Sequence, residues 1–361
     1  MGATYKATGI NLKSMPMGEN DRLLTILTRE FGLIRAIAPG SRKHESTLRG
    51  RSGLFVVNNL LLVPGKSLDK VIQAESSESF PKLSQDLGKL TAAQYLAELS
   101  LYQALSDQPQ EELFSALCRV LGRLEAGESE RAIAILVEGI VEMLHLAGVI
   151  PEVECCSITR KPIPPHDPGN RWRVGFHPAA GGVVSLSVFE KISAKERQQS
   201  IQTMDFGALE SEFAFTPRPT LVQNEKGQHS QGTSPLPGAR SEAGDRLSQD
   251  SEIRRSTVAQ PMGNYRARRP VAGTRLTADE WDLLQQLVSL QRGAAQDVAE
   301  YAPKPVPFAM GRMGQGSLEI WLSLERALRY YAQYHFERAI QSAHLIDSCF
   351  APLPSTVSPN S

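Results

Sequence analysis

Residues 5–38 read YKATGINLKSMPMGENDRLLTILTREFGLIRAIA, and their alternation decides the fold. Between Arg22 and Thr28, Leu23, Thr25 and Leu27 fall on every second position, and Leu33 to Ala38 continues the two-residue period of half-buried strands. Tyr5 to Lys13 supplies a preceding strand, Met15-Pro16-Met17-Gly18 a breaker, and Arg29-Glu30-Phe31-Gly32 a tight turn. Working outward, Pro39 to Gly53 reads as a polar loop and Leu54 to Val63 as a fourth strand. Leu68 to Ala74, after Pro64-Gly65, reads as a fifth. Five short strands within residues 1–80 predict a small barrel, of which the OB-fold is one form.

Beyond Leu83 the period becomes helical. Leu113, Leu117, Val120, Leu121 and Leu124 share one helical face, as do Ile133, Leu136, Val137, Ile140, Val141 and Leu144. Leu90 to Leu105 is apolar over a wider arc, which predicts a more buried helix. Residues 152–190, with Pro162, Pro164, Pro165, Pro168 and Gly181-Gly182, read as irregular. Residues 206–273 read as a disordered insertion rich in Gly, Pro, Ser and Arg. Thr277 and Glu280 form a capping box ahead of Trp281, Leu284 and Leu287, and a last helix is expected from about Ser317 to Ile346. The expected organisation is therefore α+β. A five-stranded OB-fold barrel over 1–80 is followed by an all-helical domain over 81–205 and 274–350, with a disordered tail over 351–361.

The chain has 361 residues and 41% hydrophobic residues, enough for real cores, and its formal net charge is zero. Affinity for a polyanion would therefore have to come from uneven charge distribution. Residues 1–75 are uneven, with eleven Lys and Arg against six Asp and Glu, a surplus of five. The densest run is Ser41-Arg42-Lys43-His44 through Arg49-Gly50-Arg51, a loop able to track a phosphate backbone without reading sequence. A merely solvated loop is the plainer alternative. Aromatic platforms are scarce here, since only Tyr5, Phe31 and Phe55 occur in the first 75 residues, and Phe55 sits in an apolar run that suits a core. Residues 217–275 add ten cations, among them Arg266, Arg268 and Arg269, against five acids. The stretch reads either as a basic tether or as a spacer.

Familiar catalytic motifs are missing, and no enzymatic activity is expected. Pro64-Gly65-Lys66-Ser67 resembles the end of a P-loop, but Leu60 stands where that motif needs glycine. There is no H-E-x-x-H, G-x-S-x-G or G-x-G-x-x-G. His145 suits a core or boundary position. Cys155, Cys156, His166 and His177 could supply four metal ligands by number, but adjacent cysteines chelate poorly and no metal or other cofactor is expected. Four cysteines, no apolar leader at the N-terminus and no apolar run of membrane-spanning length predict a reducing, cytoplasmic setting with no membrane partner.

Three stretches carry a family resemblance. Met17-Gly18-Glu19-Asn20-Asp21-Arg22-Leu23-Leu24-Thr25-Ile26-Leu27-Thr28-Arg29-Glu30-Phe31-Gly32, followed by Ala38-Pro39-Gly40-Ser41-Arg42-Lys43, is the most specific. Ala93 to Ser100 and Ala147 to Cys155 form the second. Phe176 to Val183, with Leu328-Arg329-Tyr330-Tyr331 through Ile340-Gln341-Ser342, forms the third. Together they resemble the RecO recombination-mediator family. The resemblance implies a protein that binds single- and double-stranded DNA, anneals complementary strands, and with RecR helps RecA replace single-strand-binding protein, whose tail would dock on the helical body. It implies DNA contacts at the barrel cations Lys13, Arg22, Arg29, Arg35, Arg42, Lys43, Arg49, Arg51 and Lys66. Many relatives carry two C-x-x-C pairs after the helical block. Here Cys155 abuts Cys156 and Gly181-Gly182 runs into Val183-Val184-Ser185, so zinc is not implied and the segment is expected to hold by packing alone. The rival readings are a protein-interaction adaptor with incidental barrel charge and an unrecognised nucleotide-dependent enzyme.

Overall fold

A computed structural model describes residues 3–164, 172–198, 273–294 and 315–350. The chain divides into two compact units, Met1–Glu196 with Arg266–Ser361, and Arg197–Tyr265. Almost all of the second unit lies outside the described residues, as do the expected insertion up to 272 and the expected tail.

The N-terminal strands are β1 (Tyr5–Met17), β2 (Asp21–Thr28), β3 (Gly32–Ala38), β4 (Val56–Val63) and β5 (Asp69–Ser79). They close a barrel in the order β1-β2-β3-β5-β4. Closure between β3 and β5 is a short parallel contact, Ala36 with Asp69 and Ile37 with Lys70. The expected breaker at Met15 to Gly18 does not end β1, which runs on to Met17 and turns only at Gly18, where φ is +61°. Alternation then sorts the side chains. Leu24, Ile26, Ile34, Ala36, Leu60, Leu62 and Val71 fill the barrel interior. Ile10, Leu12, Leu27, Phe55 and Val57 belong instead to the core of the helical body, so part of the barrel's outer face is sealed against helices. The β2–β3 turn is locked to that body as well. Gly32 has φ +65°, a built Cβ there would lie 2.0 Å from the Leu105 carbonyl oxygen, and the Leu33 amide donates to that same oxygen at 2.9 Å.

The body comprises α2 (Leu87–Gln103), α3 (Glu111–Ala126), α4 (Ala132–Leu146), α5 (residues 186–198), α6 (Ala278–Ala294), α7 (Gln315–His335) and α8 (Ala343–Cys349), after a short α1 (Leu48–Arg51) inside the barrel. Asp86 caps α2 by accepting from the Lys89 amide at 2.9 Å. Residues 132–144 of α4 are buried on every side, including Glu138 and Glu142, which Arg123 and Arg119 of α3 neutralise. Such all-round burial marks a central helix. The capping box holds, with the Thr277 amide donating to Glu280 Oε2 at 2.7 Å and the Glu280 amide to Thr277 Oγ1 at 3.3 Å.

Two expectations about the body need correction. It is not purely helical, because residues read as irregular contribute β6 (Arg173–His177) and β7 (Gly182–Val184). These form a three-stranded sheet with β8 (Thr274–Thr277) in the order β7-β6-β8. The last helix is also not continuous. Glu337, with φ +51°, follows α7, and the chain crosses to α8 by laying its backbone on Glu98. The Glu98 carboxylate accepts from the Gln341 amide at 2.8 Å, the Ser342 amide at 3.0 Å and Ser342 Oγ at 2.8 Å. Burial alone would raise the Glu98 pKa, but these donors and the Tyr102 hydroxyl outweigh it and hold the carboxyl below its usual range.

Candidate nucleic-acid interface

The nine barrel cations do not form one surface. Arg29 sits in the β2–β3 turn beside the helical body, its guanidinium 5.2 Å over the ring of Phe114 on α3, while its carbonyl accepts from the Gln110 amide at 2.9 Å. Arg22 points the opposite way to its strand neighbours and is spent on structure, donating through Nη1 to Ser52 Oγ at 2.9 Å. Arg42 is exposed but tied, its Nη1 donating to the Gly18 carbonyl at 2.7 Å across the β1–β2 turn. The other six, Lys13, Arg35, Lys43, Arg49, Arg51 and Lys66, form no side-chain hydrogen bond or ion pair among the described residues. Lys70 shares that property.

The loop between β3 and β4, which reads as a plain polar loop, is built and pinned. Leu48 of α1 is buried with the barrel interior, so α1 acts as a plug. Its C-terminal end is gripped by two buried asparagines. Asn11 Nδ2 donates to the Arg51 and Gly53 carbonyls at 2.8 and 2.9 Å, and Asn58 Nδ2 donates to the Arg51 carbonyl at 2.9 Å. The backbone at 51 is therefore held, while the side chains of Arg49 and Arg51 stay uncommitted. At the loop's start, Asp21 Oδ1 accepts from the Gly40 amide at 2.7 Å and the Asn20 carbonyl accepts from the Arg42 amide at 2.8 Å. Both contacts fix the loop beside the β1–β2 turn. A shallow cavity of about 430 Å³ is lined there by Gly40, Lys43, His44, Glu45 and Ser46.

Strand register places Lys13 and Arg35 on the adjoining sheet face. Lys13 pairs with Thr25 and Thr25 with Arg35, so both cations flank one threonine on the outer side of β1-β2-β3. A bulge between Asn11 and Lys13 makes this possible, turning Lys13 outward although Leu12 is already buried in the outer-face core. Sequence reading missed the row beyond it. Met15 pairs with Leu23, Leu23 with Ile37, and Ile37 lies beside Lys70 on β5. The two-residue spacing Lys13, Met15, Met17 was the available signal. Lys66 is exposed in the turn that delivers β5 to β3.

This barrel and body are those of a known family. Residues 1–80 match the family described as Recombination protein O N terminal, and residues 84–192 that described as Recombination protein O C terminal. The chain belongs to the RecO family. A protein of Acaryochloris marina named DNA repair protein RecO is 42% identical over 360 residues, covering 99% of each chain. A protein of the same name from Nostoc sp. is 42% identical over 354 residues, covering 97% of this chain and 98% of its own. One from a Cyanothece species is 39% identical over 356 residues. The relatives thus span the residues outside both family matches.

The segment around Cys155 and Cys156 is held by hydrogen bonds as well as by packing, which corrects the expectation of packing alone. The Ser157 amide and hydroxyl donate to the Val183 carbonyl at 2.9 and 2.8 Å, and Trp281 Nε1 donates to the Val153 carbonyl at 2.9 Å. Cys156 Sγ accepts from the Ser185 amide at 3.5 Å. Burial would raise this thiol, but hydrogen bonds from the Thr159 side chain and from the Thr159, Ser185 and Ile158 amides bring it down to about 7. His177 is buried with its Nε2 3.0 Å from Glu196, and His166 lies outside the described residues. Arg275, counted with the insertion cations, stands on β8 facing Glu190 at 3.6 Å, while Arg266, Arg268 and Arg269 lie outside the described residues. No described helix is long and apolar enough to cross a membrane.

Proposed function

We propose that the chain is a DNA-binding recombination mediator of DNA repair. It binds and anneals DNA and, with RecR, helps RecA take over single strands coated by single-strand-binding protein in the cytoplasm. The observation that carries this reading is the set of six uncommitted cations on one OB-fold: Lys13 and Arg35 on the outer sheet face, Lys43, Arg49 and Arg51 on the pinned loop, and Lys66 on the β4–β5 turn. OB-folds bind oligonucleotides on the face of strands 2 and 3 with flanking loops, and backbone recognition needs cations that are not already neutralised. The family's relatives named DNA repair protein RecO support the same reading. The protein acts by binding and needs no catalytic residue. The perturbed groups Glu98 and Cys156 are engaged in holding chain segments together.

The test is an equilibrium titration of the whole chain against a labelled single-stranded oligonucleotide at several salt concentrations. If each of the six cations neutralises one phosphate, log K falls with log salt at a slope of about −4. Binding without such a slope, or none at low salt, supports a protein-interaction adaptor instead.

A further inference from the structure

The outer face of the barrel changes character along its strands. Ile10 and Leu27, paired across β1 and β2, are both 0% exposed beneath the helical body. Farther along the same strands the apolar residues continue but the cover ends, leaving Met15 52% and Met17 40% exposed and Leu23 and Ile37 partly so. A sheet face with nothing to bind carries polar residues there, so an uncovered apolar strip marks an interaction site.

Cations frame the strip. The row Met15, Leu23, Ile37 ends on Lys70, and the adjacent row holds Lys13 and Arg35 on either side of Thr25. Two of the nearby acids are already engaged, Asp21 by the Gly40 amide and Asp69 by the Tyr5 hydroxyl and the Gly65 amide, while Glu19 stands exposed in the β1–β2 turn. Strand spacing makes the apolar row about 10 Å long and sets it about 7 Å from the cationic row, the scale of a nucleotide's base and its phosphate.

We infer that this strip receives unpaired bases, so that Met15, Leu23 and Ile37 distinguish single strands from duplex. The inference rests on the DNA-binding reading above. A duplex turns its bases inward and offers a broad sheet mainly phosphates, for which cations alone suffice. A single strand can lay bases on the apolar row and phosphates on Lys13, Arg35 and Lys70. Thioether and aliphatic groups replace the aromatic platforms of many single-strand binders, and Met adapts its shape to whichever base arrives.

The test compares wild type with the full chain carrying Met15→Thr and Ile37→Thr, both compatible with strands. Affinity for a single-stranded oligonucleotide falls about tenfold, while duplex affinity at the same salt changes less than twofold and the salt slope is kept. The pair Met15→Leu and Ile37→Val restores single-strand affinity, which separates the effect from misfolding. Equal loss for both DNAs, or no loss for either, overturns the inference, as does unchanged DNA binding with loss of a protein partner. Arg49→Glu with Arg51→Glu, measured alongside, isolates the premise. If wild type binds neither DNA, the DNA-binding reading fails; if wild type binds and only the arginine variant is defective, only the base-contact inference fails.

Discussion

Replacing Arg42, Lys43, Arg49 and Arg51 together with glutamate weakens DNA binding by more than about a hundredfold near physiological salt and flattens the salt slope by about 2, the share of Lys43, Arg49 and Arg51. The effect is large because reversal both removes attraction and adds repulsion on one short, pinned segment. The backbone contacts that shape it do not depend on these side chains, since Asn11 and Asn58 grip the Arg51 carbonyl and Leu48 still plugs the barrel. Arg42 is the exception, because its side chain also holds the Gly18 carbonyl. A triple variant that spares Arg42 therefore keeps the β1–β2 turn and loses most of the binding. Strand annealing falls with binding in both variants, and an unchanged affinity rules out the loop as the contact surface.

The largest effect on stability lies far from the barrel. Glu325 is 0% exposed on α7, and Arg329 one turn later donates to it through Nε at 2.9 Å while reaching Asp347 of α8 through Nη1 at 2.7 Å. Burial holds the Glu325 carboxyl above its usual range even against the pull of Arg329. Arg329→Met strands that carboxylate and is expected to cost about 3–5 kcal/mol, since removing one partner leaves a buried charge uncompensated. The melting temperature falls by roughly 10 °C. Glu325→Gln combined with Arg329→Met recovers most of the loss, because no buried charge remains. The pH dependence has a definite sign. A carboxyl whose folded pKa is raised takes up a proton on folding, so the stability it adds is present at low pH and lost as pH rises through the folded value. The single variant is therefore less destabilised at pH 5 than at pH 8, as denaturant titrations at the two pH values would show.

The barrel was legible because its signals are local. Period-two alternation in Leu23, Thr25 and Leu27 and the glycine at position 32 are each readable within a few residues, and so is the Thr277–Glu280 capping box. What was hidden depends on distant partners. Val174 and Phe176 look like loop residues among prolines until Thr274–Thr277, about a hundred residues later, pairs with them. The break after α7 depends on Glu98, which a one-dimensional pattern does not place beside Ser342. The candidate site divides in the same way. A charge count found the basic barrel, but it weighed Arg22 and Arg35 alike, although one guanidinium is spent on Ser52 and the other is uncommitted. The apolar row escaped notice because Leu23 and Leu27 have the same sequence signature, and only the extent of the helical body separates the open one from the buried one.

The central claim, that nucleic acid lies on the pinned loop and the adjoining outer face of the barrel, is tested most directly by amide hydrogen exchange of the whole chain with and without a single-stranded oligonucleotide. Added DNA is expected to slow exchange in residues 13–25 and 33–53 and to leave the buried amides of α4 and α7 unchanged. Protection confined to the helical body, with residues 39–53 exchanging as in the free protein, would contradict it.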